Sequence, residues 1–162
     1  MRSRILLCVF CVFGPTSRAR AELIERVLGD VDGRPVLLSE VRLVVALRGF
    51  DRSAALEAVI DARLMFREAA RVPQAAVSDV EAARACKSLE ERAAERGLEL
   101  PKAELCALAR REAAIVKYID FRFAPQVKAD RGTAAEAADA LNLRIEEWVK
   151  ELRAGAQVRY NP

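Results

Sequence analysis

Strand signals stand at the two ends of this chain and constrain its topology more than any other feature. Asp32-Gly33 in the middle of residues 23–38 is typical of a tight hairpin, because glycine tolerates the positive φ that such a turn requires. Residues 156–160 alternate between apolar and polar side chains like a short strand. A lone strand needs a partner. We therefore predict that the C-terminal strand pairs with the N-terminal hairpin.

The rest of the chain is patterned for helices. Ser39, Ser78 and Thr133 are good N-cap residues, and Gly49, Gly97 and Gly155 follow the periodic segments as helix ends do. Together these features predict a mostly α fold, a multi-helix domain with a small sheet formed by the hairpin and the terminal strand. The predicted helices cover residues 40–47, 53–71, 79–96, 101–123 and 134–154.

Apolar spacing assigns the helices to different positions. The helix over 53–71 is apolar on most sides, which is typical of a central helix. The helix over 79–96 is rich in alanine and charge and is predicted to be peripheral. The last helix has the clearest amphipathic pattern and places Trp148 in the core. The helix over 101–123 is expected to bury one row of large apolar side chains: Leu105, Leu108, Ile115, Val116, Ile119 and Phe123. Tyr118 and Phe121 lie off that row.

Residues 1–21 have the pattern of a cleavable secretory signal. Arg2 and Arg4 precede an apolar run over 5–13, and Ala19 and Ala21 occupy the positions that a signal peptidase reads. The apolar run is short for a bilayer span, although an uncleaved N-terminal anchor is the alternative. We therefore predict a signal peptide over 1–21 and a single exported domain over 22–162.

Removal of the signal changes the charge of the chain. The full sequence has 27 Lys and Arg against 24 Asp and Glu, and four of the arginines and none of the acids lie in residues 1–21. Residues 22–162 therefore carry 23 basic and 24 acidic residues, a net charge of −1. This balance gives no electrostatic basis for binding nucleic acid and provides no polybasic block for a membrane surface.

Two cysteines, Cys86 and Cys106, remain beyond the signal. In an oxidising compartment such a pair can form a disulfide, and the alternative is two buried thiols. In a hairpin of the two helices, Cys86 lies eleven residues before the turn and Cys106 five residues after its start. At about 1.5 Å per residue their heights differ by roughly 9 Å, more than a disulfide tolerates, which favours two separate thiols.

The composition argues against catalysis. The sequence contains no histidine, which removes the commonest general base and the commonest metal ligand, and it has no glycine-rich phosphate loop. We predict no enzyme activity, no metal site and no cofactor. Glu57 and Asp61 share a helix face, as acid–base pairs can, but carboxylates four residues apart on a helix usually face solvent.

Three stretches, in this order, resemble a known family. Residues 27–41 read VLGDVDGRPVLLSEV; residues 55–69 contain Ala55-Leu56, Val59-Ile60-Asp61, Leu64-Met65 and Glu68-Ala69; residues 145–153 and 156–160 read IEEWVKELR and AQVRY. They are similar to the opening hairpin, the central helix and the closing helix and strand of the N-terminal chaperone domain of SurA-type periplasmic proteins. The resemblance implies that the last strand returns to the opening hairpin, and it implies a periplasmic location.

The chain also departs from that family. One or two parvulin-type prolyl isomerase domains usually stand between the segment that resembles residues 122–127 and the final helix, and here only residues 128–132 separate the two. Parvulin sites generally rely on histidines, which this sequence lacks. Isomerase activity is therefore not expected.

The resemblance implies a non-enzymatic, chaperone-like module that binds unfolded or extended exported polypeptides, as in outer-membrane protein biogenesis. Such binding requires an apolar surface that is exposed but mixed with charge. The residues predicted to line it are Phe50, Met65, Phe66, Tyr118 and Phe121. Core packing is the alternative role for these apolar side chains. The alternative function is a structural or partner-binding subunit of an envelope assembly, which the surface of the helix over 79–96 would suit.

Overall fold

The computed structural model describes residues 25–123, 125–126 and 133–161. The predicted signal peptide over 1–21 lies outside the described residues, as do most of residues 124–132, between the last two predicted helices. None of the helices in the described ranges is long and apolar enough to cross a membrane.

The two ends of the described chain meet in a three-stranded antiparallel sheet, as predicted. Its strands are β1 (Val27–Val31), β2 (Arg34–Leu37) and β3 (Val158–Tyr160), in the order β2-β1-β3. Asp32 and Gly33 form the two-residue turn between β1 and β2 with φ values of 52° and 80°. The hairpin prediction is confirmed, because both turn residues adopt the left-handed conformation that an Asp-Gly pair tolerates.

Close contact between β1 and β3 depends on Gly29. A Cβ atom at this position would lie 2.8 Å from the backbone oxygen of Arg159. Gly29 therefore allows the terminal strand to approach β1 more closely than a residue with a side chain would.

Within the residues that the structure describes, five α-helices make up most of what remains, which confirms the mostly α fold. They are α1 (Leu38–Arg48), α2 (Arg52–Ala69), α3 (Asp79–Glu95), α4 (Lys102–Arg122) and α5 (Ala134–Ala154), and a short 3-10 helix covers Pro73–Ala75. As predicted, α2 is central and packs against α1, α4, α5 and β1. The main contacts of α3 are with α4, as expected of a peripheral helix.

Of the three predicted N-cap residues, two are confirmed and one is wrong. Ser78 and Thr133 cap α3 and α5, each in a reciprocal capping box with a glutamate three residues later. Ser39 is not an N-cap, because α1 already begins at Leu38. The backbone N–H of Ser39 instead donates to Glu25 Oε1 at 2.9 Å.

The buried side chains form three clusters. One lies between the sheet, α1 and α2, and includes Val36, Val41 and Ile60. A second surrounds Trp148, which is 3% exposed and confirms the prediction for this residue. The third lies between α1, α3 and α4 around Leu43 and Leu105.

The inward face of α4 differs from the prediction at two positions. Val116 is 55% exposed, whereas Tyr118 is buried, with its ring centroid 5.1 Å from that of Trp148. The reason is that α4 has neighbours on more than one side. Small residues such as Ala109 and Ala114 are buried on it, so the row of large side chains in the sequence does not mark the whole buried surface.

Cys86 and Cys106 form a disulfide between α3 and α4, so the prediction of two separate thiols is wrong. Their Cα atoms lie 4.5 Å apart. The predicted height difference ignored the path of the loop between the helices. The backbone N–H of Leu98 donates to the carbonyl of Ala93 at 2.9 Å, and Lys102 Nζ lies 2.9 Å from Glu90 Oε1.

These contacts show that the loop runs back along α3 before α4 begins. An extended segment advances about 3.3 Å per residue. The few residues from Leu98 to Pro101 therefore offset most of the height difference that was predicted between the two cysteines. Lys102 thereby lies level with Glu90, and Cys86 and Cys106 each lie four residues, about one turn, farther from the loop.

We expect the double variant Cys86→Ser, Cys106→Ser to unfold at lower urea concentration than the wild-type protein. A cross-link over a separation of 20 residues restricts the unfolded chain, and its loss should lower the free energy of unfolding by about 3 kcal/mol. Reductant should lower the urea midpoint of the wild type to that of the variant and leave the midpoint of the variant unchanged. Peptide mapping without reductant that finds the two cysteines unlinked would contradict the disulfide.

The Ser78–Glu81 capping box predicts acid sensitivity. The backbone N–H of Ser78, followed by Lys117, lowers the pKa of Glu81 from 4.5 to about 2. A carboxylate with a lowered pKa stabilises the fold above its unfolded pKa, and this contribution is lost as the pH falls from about 4.5 toward 2. We expect Glu81→Gln to have a lower Tm at pH 7 and a Tm that falls less between pH 5 and pH 2. An unchanged pH dependence of Tm would contradict this assignment.

Candidate functional site

A cleft of about 720 Å³ lies between the hairpin turn, α2 and α4. Its volume is within the range of about 300–1,000 Å³ that is usual for ligand sites. We refer to it as the arginine cleft, because five of its eleven lining residues are arginines. The lining residues are Val31, Asp32, Arg34, Pro35, Arg63, Leu64, Phe66, Arg67, Ala70, Arg71 and Arg111.

One face of α2 forms the longest wall of the arginine cleft. Arg63, Arg67 and Arg71 follow one another at intervals of four residues, and Phe66 and Ala70 fill the intervals. Residues four apart lie side by side on a helix, so Arg63 and Arg67 project from one face of α2, and Arg71 follows shortly after the helix ends at Ala69.

Glu40 holds the guanidinium groups of Arg63 and Arg111 together. One carboxylate oxygen of Glu40 accepts from Arg63, and the other accepts from Arg111 at 3.5 Å. Arg63 also donates to the backbone carbonyl of Arg34 at 3.3 Å. These contacts join α1, α2, α4 and β2 around one carboxylate and fix the positions of two arginines in the wall.

A second ionic group lies at the hairpin end of the cleft. Arg67 donates to Asp32 Oδ2 and, through Nε, to Glu68 Oε1 at 3.1 Å. Arg71 Nη1 donates to the two oxygens of Glu68 at 3.0 and 3.1 Å. Asp32 and Glu68 therefore hold two further arginines in place.

Positive charge is in excess in the arginine cleft. Five guanidinium groups are matched by only three carboxylates, those of Asp32, Glu40 and Glu68, so two positive charges remain. Within the part of the chain that the structure describes, the Arg34 guanidinium makes no ion pair or hydrogen bond. The side chain of Arg71 is 66% exposed. Both groups can therefore donate to a ligand.

The cleft also has an apolar component. Val31, Pro35, Leu64 and Phe66 line it beside the arginines. Pro35 belongs to β2, which is an edge strand of the sheet. The site thus combines apolar surface with a set of hydrogen-bond donors, as ligand sites commonly do.

The five residues predicted for polypeptide binding are not brought together in the structure. Phe66 lines the arginine cleft and, like Met65, packs against the cluster around Trp148. Tyr118 is buried, so its predicted place on a binding surface is wrong. Phe50 and Phe121 are 39% and 51% exposed, but neither lines the cleft. Sequence reasoning missed the arginines, although the four-residue spacing of Arg63, Arg67 and Arg71 is a visible signal.

A second cavity, of about 650 Å³, lies beside the disulfide. Cys86, Glu90 and Cys106 are the one group of metal-ligating side chains that the described ranges bring together. The two sulfur atoms are bonded to each other, so neither is a thiolate ligand, and Glu90 already binds Lys102.

Glu57 and Asp61 were expected to face solvent, but both are bonded to another side chain. Both bind Arg153 of α5, which donates to Asp61 Oδ1 at 2.5 Å and to Glu57 Oε2 at 2.6 Å. The hydrogen bond to Asp61, with that to Glu57, raises the pKa of the Arg153 guanidinium. This pair of carboxylates therefore has a structural role, the attachment of α5 to α2.

Comparisons of the chain with protein-family models, with curated proteins and with solved structures found no match.

The contacts of Arg153 predict a measurable role in stability. Arg153→Met should lower the free energy of unfolding by about 1–2 kcal/mol, because two carboxylates lose charged hydrogen bonds in a site that solvent partly screens. Lys150→Met, at an exposed position of α5, is the matched control and should leave the urea midpoint near that of the wild type. Equal midpoints for the two variants would contradict the role of Arg153.

Proposed function

We propose that this protein is a chaperone-like module that binds unfolded exported polypeptides, and that it does so without isomerase activity. In this proposal the signal over 1–21 directs the chain to the periplasm, where an extended segment of a client polypeptide occupies the arginine cleft. The observation that carries the proposal is the arginine cleft itself, in which Phe66 and Pro35 lie beside a row of guanidinium groups.

The chemistry of the cleft suits a polypeptide. An extended chain presents carbonyl oxygens along its length and side chains on alternate sides. Arg34 and Arg71 supply donors for carbonyl oxygens, and Phe66 supplies apolar surface for side chains. The remaining guanidinium groups are held by carboxylates, so they need little reorganisation when a ligand arrives.

Charge around the apolar surface also limits self-association. Exposed apolar patches promote aggregation when they are large and continuous. Here arginine flanks the apolar residues of this wall: Phe66 of α2 is next to Arg67, and Ala70, just past the end of the helix, is next to Arg71. Such a surface can bind apolar segments of a client reversibly while the protein itself stays dispersed.

The resemblance of residues 27–41, 55–69 and 145–160 to the SurA-type N-terminal domain supports the same function. The resemblance implies a mostly α domain in which the last strand returns to the opening hairpin. The fold has this arrangement, with β3 paired to β1. The resemblance and the cleft are independent grounds for a polypeptide ligand.

The proposal predicts that the purified protein at several-fold excess suppresses aggregation of a urea-unfolded outer-membrane protein after dilution, measured by light scattering. Phe66→Ala should weaken this suppression, because it removes the aromatic surface of the cleft. Ala70→Trp should weaken it by filling the cleft, and because Ala70 is exposed this second variant leaves the core unchanged.

Leu143→Ala is the matched control, because Leu143 is 57% exposed and does not line the cleft. It should suppress aggregation as well as the wild type. No suppression by the wild-type protein would contradict the proposed function. Loss of suppression in Phe121→Ala, but in neither cleft variant, would place binding elsewhere. Capture of a single stoichiometric partner in place of varied clients would favour the alternative, a subunit of an envelope assembly.

A further inference from the structure

The uneven charge of the arginine cleft points to the chemistry of its ligand. Each carboxylate of the cleft is already bound: Glu40 to Arg63 and Arg111, Asp32 to Arg67, and Glu68 to Arg67 and Arg71. Within the described residues, no carboxylate forms an ion pair with the Arg34 guanidinium. From this excess we infer that the cleft selects polypeptide segments that carry a carboxylate group, an inference that rests on the proposed function.

Arg71 and Arg34 are the side chains assigned to this recognition. Arg71 uses Nη1 for Glu68, which leaves the donors on Nη2 and Nε for a ligand. A guanidinium group presents two parallel N–H donors, and a carboxylate is the acceptor that matches them in shape and charge. A backbone carbonyl would satisfy one donor and leave the positive charge unbalanced.

The apolar wall strengthens this preference. Phe66 and Pro35 lie beside the arginines, so an apolar side chain of the ligand that covers them would shield the charged hydrogen bonds from water, and such bonds are stronger where water is excluded. The preferred segment therefore has a carboxylate with apolar residues beside it. An excess of two positive charges in the cleft is small for binding a polyphosphate backbone, and residues 22–162 as a whole carry a net charge of −1. An acidic polypeptide therefore fits the cleft better than a nucleic acid does.

Two sources can supply the carboxylate: an Asp or Glu side chain, or the free C-terminus of a client. Four labelled peptides with one apolar sequence distinguish them. The first has a central Glu and a free C-terminus, the second has Gln and a free C-terminus, the third has Glu and a C-terminal amide, and the fourth has Gln and an amide. Fluorescence anisotropy with the full-length purified protein measures the Kd of each.

We expect the peptide without a carboxylate to bind about tenfold more weakly than the first peptide, the usual scale of one charged hydrogen-bonded pair. The second peptide keeps only the C-terminal carboxylate and the third keeps only the Glu carboxylate. Whichever of these two keeps the Kd of the first peptide identifies the source of the carboxylate. Because the selectivity is electrostatic, it should shrink in 0.5 M salt.

Arg71→Gln and Arg34→Gln should each reduce the ratio between the Kd values of the neutral and carboxylate peptides. The Kd of the neutral peptide should change little, because the glutamine amide can still donate to a carbonyl oxygen. Arg84→Gln is the matched control: Arg84 is exposed on α3 and does not line the cleft, so this variant should keep the wild-type ratio.

Equal Kd values for all four peptides would overturn the inference and leave the proposed function standing, since polypeptide binding would persist without charge selectivity. An unchanged ratio in both cleft variants would overturn the assignment of Arg34 and Arg71. Absence of binding by every peptide, together with failure to suppress aggregation, would overturn the proposed function and the inference with it.

Discussion

Pairing of β3 with β1 is the constraint on which the rest of the structure depends. It joins residues from opposite ends of the sequence, and Asp32 lies at the junction. Asp32 Oδ1 accepts from the backbone N–H of Gln157 at 2.8 Å, and Oδ2 accepts from Arg67 in the wall of the arginine cleft. The side chain that helps to close the chain thus also positions an arginine of the candidate site. Together with Arg153, which attaches α5 to α2, it links the terminal strand to the central helix.

Features that depend on neighbouring residues were predictable from the sequence. The Asp32-Gly33 turn and the capping boxes at Ser78 and Thr133 are complete within four residues, so tertiary contacts have little influence on them. The pairing of the terminal strand was predictable for a different reason: an unpaired strand is unstable, and the sequence offered only one partner. Trp148 was correctly assigned because its helix is amphipathic about a single apolar row.

Features that depend on the path of a loop, or on more than one neighbouring helix, were not predictable. The disulfide depends on how far the loop before α4 runs back along α3, and helix periodicity contains no information about that. Tyr118 is buried by an aromatic partner on α5, thirty residues away in the sequence. The arginine cleft was missed because arginines on one helix face are commonly solvent-exposed. They become a site only when Glu40 and the hairpin turn lie opposite them.

The packing of Trp148 against Tyr118 and Phe123 has a consequence for the length of chain between α4 and α5. The Trp148 ring centroid lies 5.1 Å from that of Tyr118 and 5.5 Å from that of Phe123, so α5 contacts the end of α4 through side chains as well as through the chain that joins them. The entropy of closing a flexible loop rises only with the logarithm of its length, by about 0.6 kcal/mol for each doubling. The contact between α4 and α5 therefore places little requirement on the length of the chain segment that joins the two helices.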